Sequence, residues 1–183
     1  LGVASFIWHQ LLDKPRHVKP SDSARGSLLG PTYSDEEIRR MLDERGAKYS
    51  HVADDDELTS RVAQRLAAGD VVGWFQGRME FGPRSLGSRS ILGDPRRAEM
   101  QAVINQKVKF REGFRPFAPA VLQEHAHEYF ALNSKEQSSL DRPYMLVVYP
   151  VRDEQMRPLS AEDSTRQGMD RLDVNRSRIP AVT

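Results

Sequence analysis

Short apolar runs alternate with amphipathic helical segments along the chain, and this alternation constrains the fold more than any other feature. Residues 34–45 begin with the capping box Ser34-x-x-Glu37 and continue with apolar residues at helical spacing. A second helical pattern ends at Gly69, and the β-forming run 71–75 follows it directly. Helices that alternate with short buried strands predict a mixed α/β domain built from packed layers.

Further elements are predicted along the rest of the chain. A helix is expected after Asp94-Pro95, with Met100, Val103 and Ile104 facing inward, and another near residues 124–130. Additional strands are predicted from β-forming runs at residues 48–52, 90–92, 118–122 and 144–151.

The first 30 residues differ in character from the rest. Residues 1–12 are apolar at near-helical spacing, and residues 13–30 form a polar stretch that contains prolines and glycines, as linkers do. The chain starts with Leu1 and shows no signal-peptide pattern, so it looks like a piece of a longer protein. We expect residues 1–30 to be the end of a preceding domain plus a linker, and residues 31–183 to be the main domain.

The composition excludes several classes of protein. The chain has no cysteine, which rules out disulfides, thiolate zinc sites and cysteine nucleophiles, and it fits a cytoplasmic protein. It has no apolar run long enough for a membrane span. Its 27 Lys and Arg against 26 Asp and Glu leave a net charge of only +1. Residues 74–119, however, hold nine basic and four acidic side chains, so one anion-seeking segment lies in an otherwise balanced chain.

The first half of this basic segment is a glycine-studded loop. It interleaves four glycines with three arginines: Gly73, Gly77, Gly82 and Gly87 with Arg78, Arg84 and Arg89. Glycine lets a backbone approach a ligand closely, and arginine beside exposed N–H groups suits phosphate or carboxylate. The alternative is a surface loop whose arginines pair with Glu80 and Asp94.

The second half holds four further cations, Lys107, Lys109, Arg111 and Arg115. If residues 108–111 are extended, Lys109 and Arg111 point to the same face, and Phe110 points to the core. A compact cation beside a planar one suits a polyphosphate or an acyl phosphate. A solvated strand edge protected by charge is the alternative.

Two weaker patterns have structural interpretations. His125-x-His127 lies beside glutamates and is expected on a polar helix face rather than at a metal. Residues 54–57 are acidic and precede a helix, which indicates N-terminal charge rather than a calcium loop.

Three segments together resemble a known family. Residues 73–97 (GWFQGRMEFGPRSLGSRSILGDPRR), 105–122 (NQKVKFREGFRPFAPAVL) and 29–38 (LGPTYSDEEI) resemble the C-terminal region of NodU/CmcH-type O-carbamoyltransferases. The family's specific motif reads Gly-Pro-Arg-Ala-Leu-Gly-Asn-Arg-Ser-Ile-Leu, and here Ser85 stands for the usual Ala and Ser88 for the usual Asn. Neither change removes a cation.

The resemblance implies a fold, a reaction and a partner domain. The C-terminal part would be YrdC-like, with a twisted, largely mixed β-sheet packed with helices, and would join carbamoyl phosphate to ATP, carried with Mg²⁺, as carbamoyl adenylate. An actin/hexokinase-like N-terminal domain, holding an Fe-type metal, would pass the carbamoyl group to a hydroxyl of a natural product.

The resemblance also assigns roles to individual residues. Lys109-x-Arg111 matches the Lys-x-Arg signature of YrdC-like nucleotide sites, so these two would be catalytic and hold the acyl phosphate or carbamate. The nucleotide phosphates would be bound by Arg84, Arg89 and Arg115, with Arg78 and Asn105 in the same site.

Two departures and two alternatives accompany this interpretation. The N-terminal domain is not in this sequence, so we expect no complete transfer from the chain alone. The family continues past Pro-Ala-Val-Thr with His-Val-Asp-Gly-Thr, so we expect the domain to be incomplete after Thr183.

The main alternative function is that of an RNA or single-stranded nucleic-acid-binding YrdC-like module without carbamoylation chemistry, because aromatic residues interleave with the cations. The leading interpretation, in contrast, has no nucleic-acid partner. The second alternative function is that of a docking domain without chemistry.

Overall fold

A computed structural model describes residues 2–17, 21–133 and 144–182. Its α-helices are α1 (Gly2–Phe6), α2 (Asp35–Glu44), α3 (Asp55–Ala68), α4 (Met100–Val103), α5 (Ala126–Tyr129) and α6 (Ala161–Thr165). π-Helical turns extend α1 over Ile7–Leu11 and α4 over Ile104–Val108. Short 3₁₀ turns lie at Arg25–Ser27, Gln123–His125, Asp153–Gln155, Gly168–Asp173 and Pro180–Val182.

Local capping signals set the ends of the two longest helices. The Ser34 hydroxyl accepts from the Glu37 backbone N–H at 3.2 Å, and the Glu37 carboxylate accepts from the Ser34 N–H at 2.8 Å, so the predicted capping box of α2 is confirmed. The Asp54 carboxylate caps α3 by accepting from the Glu57 N–H at 2.7 Å. The prediction that the acidic residues 54–57 lie at the N-terminus of a helix is therefore confirmed. Gly69 ends α3 with φ of 98°, in the left-handed region that glycine adopts readily.

The strands β1 (Val72–Phe75) and β2 (Arg89–Leu92) form an antiparallel hairpin. Val72 pairs with Leu92 at its base, and Phe75 pairs with Arg89 at the start of the long loop 76–88. The mixed helix-and-strand class is thereby confirmed. We expected a larger mixed sheet, whereas the sheet of the described residues has two strands.

Three predicted strands, at residues 48–52, 118–122 and 144–151, are wrong. These segments are irregular, although Val151 forms one isolated bridge with Phe130. Leu146 is 83% exposed and Val148 is 95% exposed, so the apolar run 144–151 packs against no neighbouring strand in the described residues. An apolar run becomes a strand only where a second strand completes its hydrogen bonds, and the run itself does not specify that partner.

The core lies where the base of the hairpin meets α4. Met100, Ile104 and Ala181 are buried together, and Val71 and Phe117 pack against them. A Cβ at Gly93 would approach the Met100 Sδ to 2.7 Å, so glycine there permits the close packing. The inward orientation predicted for Met100 and Ile104 is confirmed. Within the described ranges, none of the helices combines the length and apolar character that crossing a membrane requires.

Candidate functional site

The hairpin loop 76–88 is organised around a buried carboxylate. Glu80 is 3% exposed, and its Oε1 accepts hydrogen bonds from the backbone N–H groups of Leu86 at 2.6 Å and Ser88 at 2.9 Å. Its Oε2 lies 3.3 Å from the Arg89 Nε. Burial acts to raise the pKa of Glu80, but the backbone N–H groups, led by that of Leu86, outweigh it and hold the pKa below its ordinary value. Glu80 is therefore an ionised anchor for the loop, whereas the sequence predicts only that it pairs with an arginine.

Two of the predicted arginines are used to fold this loop. The Arg89 guanidinium faces Glu80 and also donates to the Gly82 carbonyl. Arg78 donates from Nη1 to the Gly30 carbonyl at 2.6 Å. The predicted alternative, in which arginines pair with acids of the same segment, therefore holds for Arg89, while Arg78 binds a neutral acceptor.

The end of the predicted linker lies alongside the hairpin loop. The Gly30 N–H donates to the Met79 carbonyl, and the Met79 N–H donates to the Pro31 carbonyl, both at 2.9 Å. The Phe81 N–H donates to the Ser27 carbonyl at 2.6 Å. Residues 27–31 thus form a backbone ladder with residues 79–81 and brace the loop that carries Arg84.

All four acidic side chains of residues 74–119 form ion pairs within that segment. Each acid pairs with one arginine: Glu80 with Arg89, Asp94 with Arg96, Glu99 with Arg97 and Glu112 with Arg115. Five cations have no acidic partner among the described residues, and these are Arg78, Arg84, Lys107, Lys109 and Arg111. The uncompensated charge of the segment is thus carried by five identifiable side chains.

The loop after α4 is organised around Asn105. Its side chain is fully buried, at 0% exposure, and Nδ2 donates to the carbonyls of Gly113 at 3.1 Å and Arg115 at 2.9 Å. Its Oδ1 accepts from the Arg111 Nε at 2.6 Å. Asn105 was expected in the nucleotide site. The structure instead places its amide inside the protein, where both of its polar atoms have protein partners.

The extended conformation predicted for residues 108–111 is wrong. The Lys109 N–H donates to the Ile104 carbonyl at 2.9 Å, and the Arg111 N–H donates to the Asn105 carbonyl at 3.0 Å, so the π-helical turn curls the backbone there. Phe110 takes a left-handed φ of 49° and is 85% exposed, so it does not face the core as expected. The period-two argument that placed Lys109 and Arg111 on one face therefore fails.

The two predicted cation-bearing loops are separate in the described residues. No hydrogen bond or ion pair between described residues joins loop 76–88 to residues 105–117. The side chains of Arg84, Lys107 and Lys109 make neither kind of contact with any described residue. These three are the groups most available to an anion.

Two cavities lie beside the predicted residues rather than among them. One of about 600 Å³ is lined by Arg96, Arg178, His125 and the apolar residues 119–122. Another of about 510 Å³ borders Gly113 and Phe114. Phe117 is a site residue that sequence reasoning missed, because only its contact with Arg111, 5.1 Å from the guanidinium carbon to the ring centroid, gives it a role.

The histidine pair predicted on a helix face gives one local ion pair. His125 Nδ1 lies 2.7 Å from the Glu128 Oε1, and this hydrogen bond raises the pKa of His125. Within residues 2–17, 21–133 and 144–182 no three His, Asp or Glu side chains are placed to hold a metal ion together.

A mixed α/β domain with two cation-bearing loops is the class that fold and site define. Comparison with known proteins makes this class specific, since the family model described as "Carbamoyltransferase C-terminus" matches residues 63–183, more than half of the chain. The chain belongs to this carbamoyltransferase C-terminal family, as the resemblance of the glycine–arginine loop had indicated. The match includes both cation-bearing loops.

Individual relatives agree with the family match. An uncharacterized protein of Synechocystis, sll1178, is 48% identical over 186 residues, which cover all of this chain and 29% of that protein. Nodulation protein NolO of Bradyrhizobium diazoefficiens is 41% identical over 88% of this chain and 28% of its own length. The 3'-hydroxymethylcephem-O-carbamoyltransferase of Streptomyces clavuligerus is 39% identical over 51% of this chain and 16% of its own. The chain spans less than a third of the length of these relatives.

Proposed function

We propose that this chain is the part of an O-carbamoyltransferase that binds ATP and carbamoyl phosphate and forms carbamoyl adenylate. The observation that carries the proposal is the set of five cations in residues 74–119 that lack an acidic partner among the described residues. Membership of the carbamoyltransferase C-terminal family supplies the class of reaction. Both substrates are anions, and bringing them together requires cations that are not already neutralised.

The proposed reaction has two bond exchanges. Water releases inorganic phosphate from carbamoyl phosphate, which leaves carbamate. A carbamate oxygen then attacks the α-phosphorus of ATP, and the bond from that phosphorus to the bridging oxygen breaks, so that pyrophosphate leaves with the electron pair. Two polyanions repel each other, so most of the rate must come from charge cancellation and alignment.

The roles proposed for individual cations follow their contacts. Lys109, whose side chain has no described partner, and Arg111, whose Nη groups donate to no described residue, are proposed to hold the carbamoyl phosphate or carbamate. Arg84 is proposed to bind nucleotide phosphates. Arg89 and Arg115 would assist there only after loosening their contacts with Glu80 and Glu112. Mg²⁺ would arrive with the phosphates of ATP.

The acceptor step is proposed to need more protein than this chain contains. Its span of less than a third of each of these three relatives supports a separate N-terminal domain in the same polypeptide, which we propose to be actin/hexokinase-like and to hold an Fe-type metal. That domain would transfer the carbamoyl group to a hydroxyl of a natural product, and the whole reaction would be cytoplasmic, where ATP is available. The acceptor itself is left open.

Calorimetric titration of the chain tests the proposal. Carbamoyl phosphate and ATP with Mg²⁺ are titrated separately into the parent, into Lys109→Ala and into the matched control Lys48→Ala, whose lysine lies outside the basic segment. Lys109→Ala should weaken carbamoyl phosphate binding by about ten- to a hundredfold, since a hydrogen bond to a charged group contributes roughly 1.5–3 kcal/mol. Lys48→Ala should bind like the parent. If the parent binds neither carbamoyl phosphate nor ATP, the proposal is refuted.

Binding of single-stranded nucleic acid is a second candidate, favoured by one observation. Phe81 and Phe110 are 75% and 85% exposed, and each lies beside cations, which is the arrangement on which bases stack. This candidate predicts oligonucleotide binding that falls steeply with salt and weakens in Phe110→Ala, without saturable ATP binding. Saturable ATP binding with weak, Phe110-independent oligonucleotide binding would favour the carbamoyltransferase proposal.

A further inference from the structure

The guanidinium of Arg111 is held on two sides by residues that carry no charge. Asn105 Oδ1 accepts from its Nε at 2.6 Å, and the centroid of the Phe117 ring lies 5.1 Å from its central carbon. Asn105 is in turn fixed by its own hydrogen bonds to the carbonyls of Gly113 and Arg115. Phe117 is fixed by packing against the core cluster. The side chain of Arg111 is therefore held by groups that are themselves immobilised.

The remaining edge of this guanidinium is unused. Neither Nη group of Arg111 donates a hydrogen bond to a described residue, and the adjacent acid Glu112 is paired with Arg115 at 2.9 Å. A planar guanidinium with both Nη groups free of described partners matches the two oxygens of a phosphate or carboxylate. Because its orientation is already set, little side-chain freedom would be lost when an oxyanion binds.

A neutral clamp orients a cation without cancelling its charge. An aspartate at position 105 would also accept from the Arg111 Nε, but its negative charge would lower the attraction of Arg111 for an anion. An amide accepts the same hydrogen bond and adds no net charge. The choice of asparagine and phenylalanine as partners thus fits a cation that is reserved for an external anion.

We propose that Asn105 and Phe117 are positioning residues that aim the free edge of Arg111 at an oxyanion of the substrate. Neither residue touches the ligand, and both act through Arg111. The inference rests on the proposed function for the identity of the oxyanion, which is the phosphate or carbamate group of carbamoyl phosphate. It adds to that proposal the two residues that set the orientation of its arginine.

Two substitutions of Phe117 test the inference by calorimetry with carbamoyl phosphate as the probe. Phe117→Leu keeps an apolar side chain in the core but removes the ring face, and it should weaken binding about five- to tenfold, the range expected for a partly desolvated cation–π contact. Phe117→Tyr keeps the ring and should bind within about twofold of the parent. Asn105→Leu should weaken binding further. The comparison of Phe117→Leu with Phe117→Tyr is the decisive one, because both variants keep the core filled.

A double-mutant cycle separates positioning from general destabilisation. If Phe117 acts through Arg111, the loss caused by Phe117→Leu disappears in an Arg111→Ala background. A loss that persists there would come from the fold in general and would overturn the inference. NMR of the ligand-free proteins gives a second measurement. The Arg111 Nε–H should exchange slowly with solvent in the parent and in Phe117→Tyr, and rapidly in Asn105→Leu.

The outcomes distinguish the two proposals. If the parent binds carbamoyl phosphate and Phe117→Leu binds equally well, the positioning role is refuted and the proposed function stands. If the parent binds inorganic phosphate with the expected Phe117 dependence but shows no preference for carbamoyl phosphate, the positioning role stands and the proposed function fails. If the parent binds neither anion, both are refuted.

Discussion

The carboxylate of Glu80 and the guanidinium of Arg89 lie 3.3 Å apart at the point where the long loop 76–88 returns to strand β2. Glu80 also accepts two backbone hydrogen bonds from the far side of the loop, from Leu86 and Ser88. One buried acid therefore ties both ends of the glycine-rich segment together. The conformation in which Arg84 is presented to solvent depends on it.

Glu80→Gln should lower the free energy of unfolding by about 1–3 kcal/mol at pH 7, because it leaves a buried polar group opposite Arg89 without an ionised partner. The folded-state pKa of Glu80 lies below its ordinary value of 4.5. Its stabilisation is therefore complete above pH 4.5 and is lost as the pH falls through the folded-state pKa. Urea unfolding of parent and variant across this range checks the prediction, with the exposed Glu124→Gln as control. An equal pH dependence in parent and Glu80→Gln would contradict it.

Gly30→Ala should destabilise the protein and loosen the ladder between residues 27–31 and 79–81. A Cβ at Gly30 would lie 2.9 Å from the carbonyl oxygen of Met79 and 3.1 Å from its Cβ, so backbone would have to move. We expect a loss of about 1–3 kcal/mol, as for other overpacked sites. Gly73→Ala is the matched control, because a Cβ there meets nothing within 4 Å. Chemical denaturation measures both, and equal midpoints for the two variants would argue against the ladder.

Arg84→Ala and Arg96→Ala should differ in stability although each removes one arginine from the basic segment. Arg84 has no described partner, so its removal should change the free energy of unfolding by less than about 0.5 kcal/mol. Arg96 donates from Nε and Nη2 to Asp94, which is only 6% exposed, so its loss leaves a buried carboxylate poorly paired and should lower the melting temperature more than the loss of Arg84 does. Thermal unfolding of both variants measures this difference in stability. A stability loss in Arg84→Ala as large as in Arg96→Ala would show that Arg84 has a structural partner after all.

The pKa of His125 should lie above 6.5 and fall toward it in Glu128→Gln, because the Glu128 hydrogen bond and charge favour the protonated ring. The contribution of this pair to stability is present below pH 6.5 and is lost as the pH rises through the folded-state pKa of His125. Titration of the ring by NMR measures the shift. Glu124→Gln is the comparison, and it should move the pKa less, since Glu124 is the weakest of the influences on His125. An unchanged pKa in Glu128→Gln would refute the pairing in solution.

Much of the site was visible in the sequence only as a list of residue types. The sequence places the loop arginines in one segment and offers Glu80 and Asp94 as acidic partners. Which arginine each acid takes was not predictable, because Arg78, Arg84 and Arg89 are equivalent in local sequence and differ only in the backbone that surrounds them. Asn105 is predicted in the nucleotide site from the resemblance alone, and its complete burial and its hydrogen bonds to Gly113, Arg115 and Arg111 follow only from the tertiary structure.

Local interactions set the ends of the two longest helices. The capping residues Ser34 and Asp54 and the C-terminal Gly69 act within one or two turns, so their effect is written in a few consecutive residues. Tertiary structure decided whether apolar runs such as 144–151 became strands, and how Phe110 and Arg111 are oriented. Strand pairing needs partners from separate segments of the chain, and the clamp on Arg111 forms only when residues 105–117 fold back so that Asn105 and Phe117 meet the guanidinium. The free energy of those contacts exists only once the chain has folded.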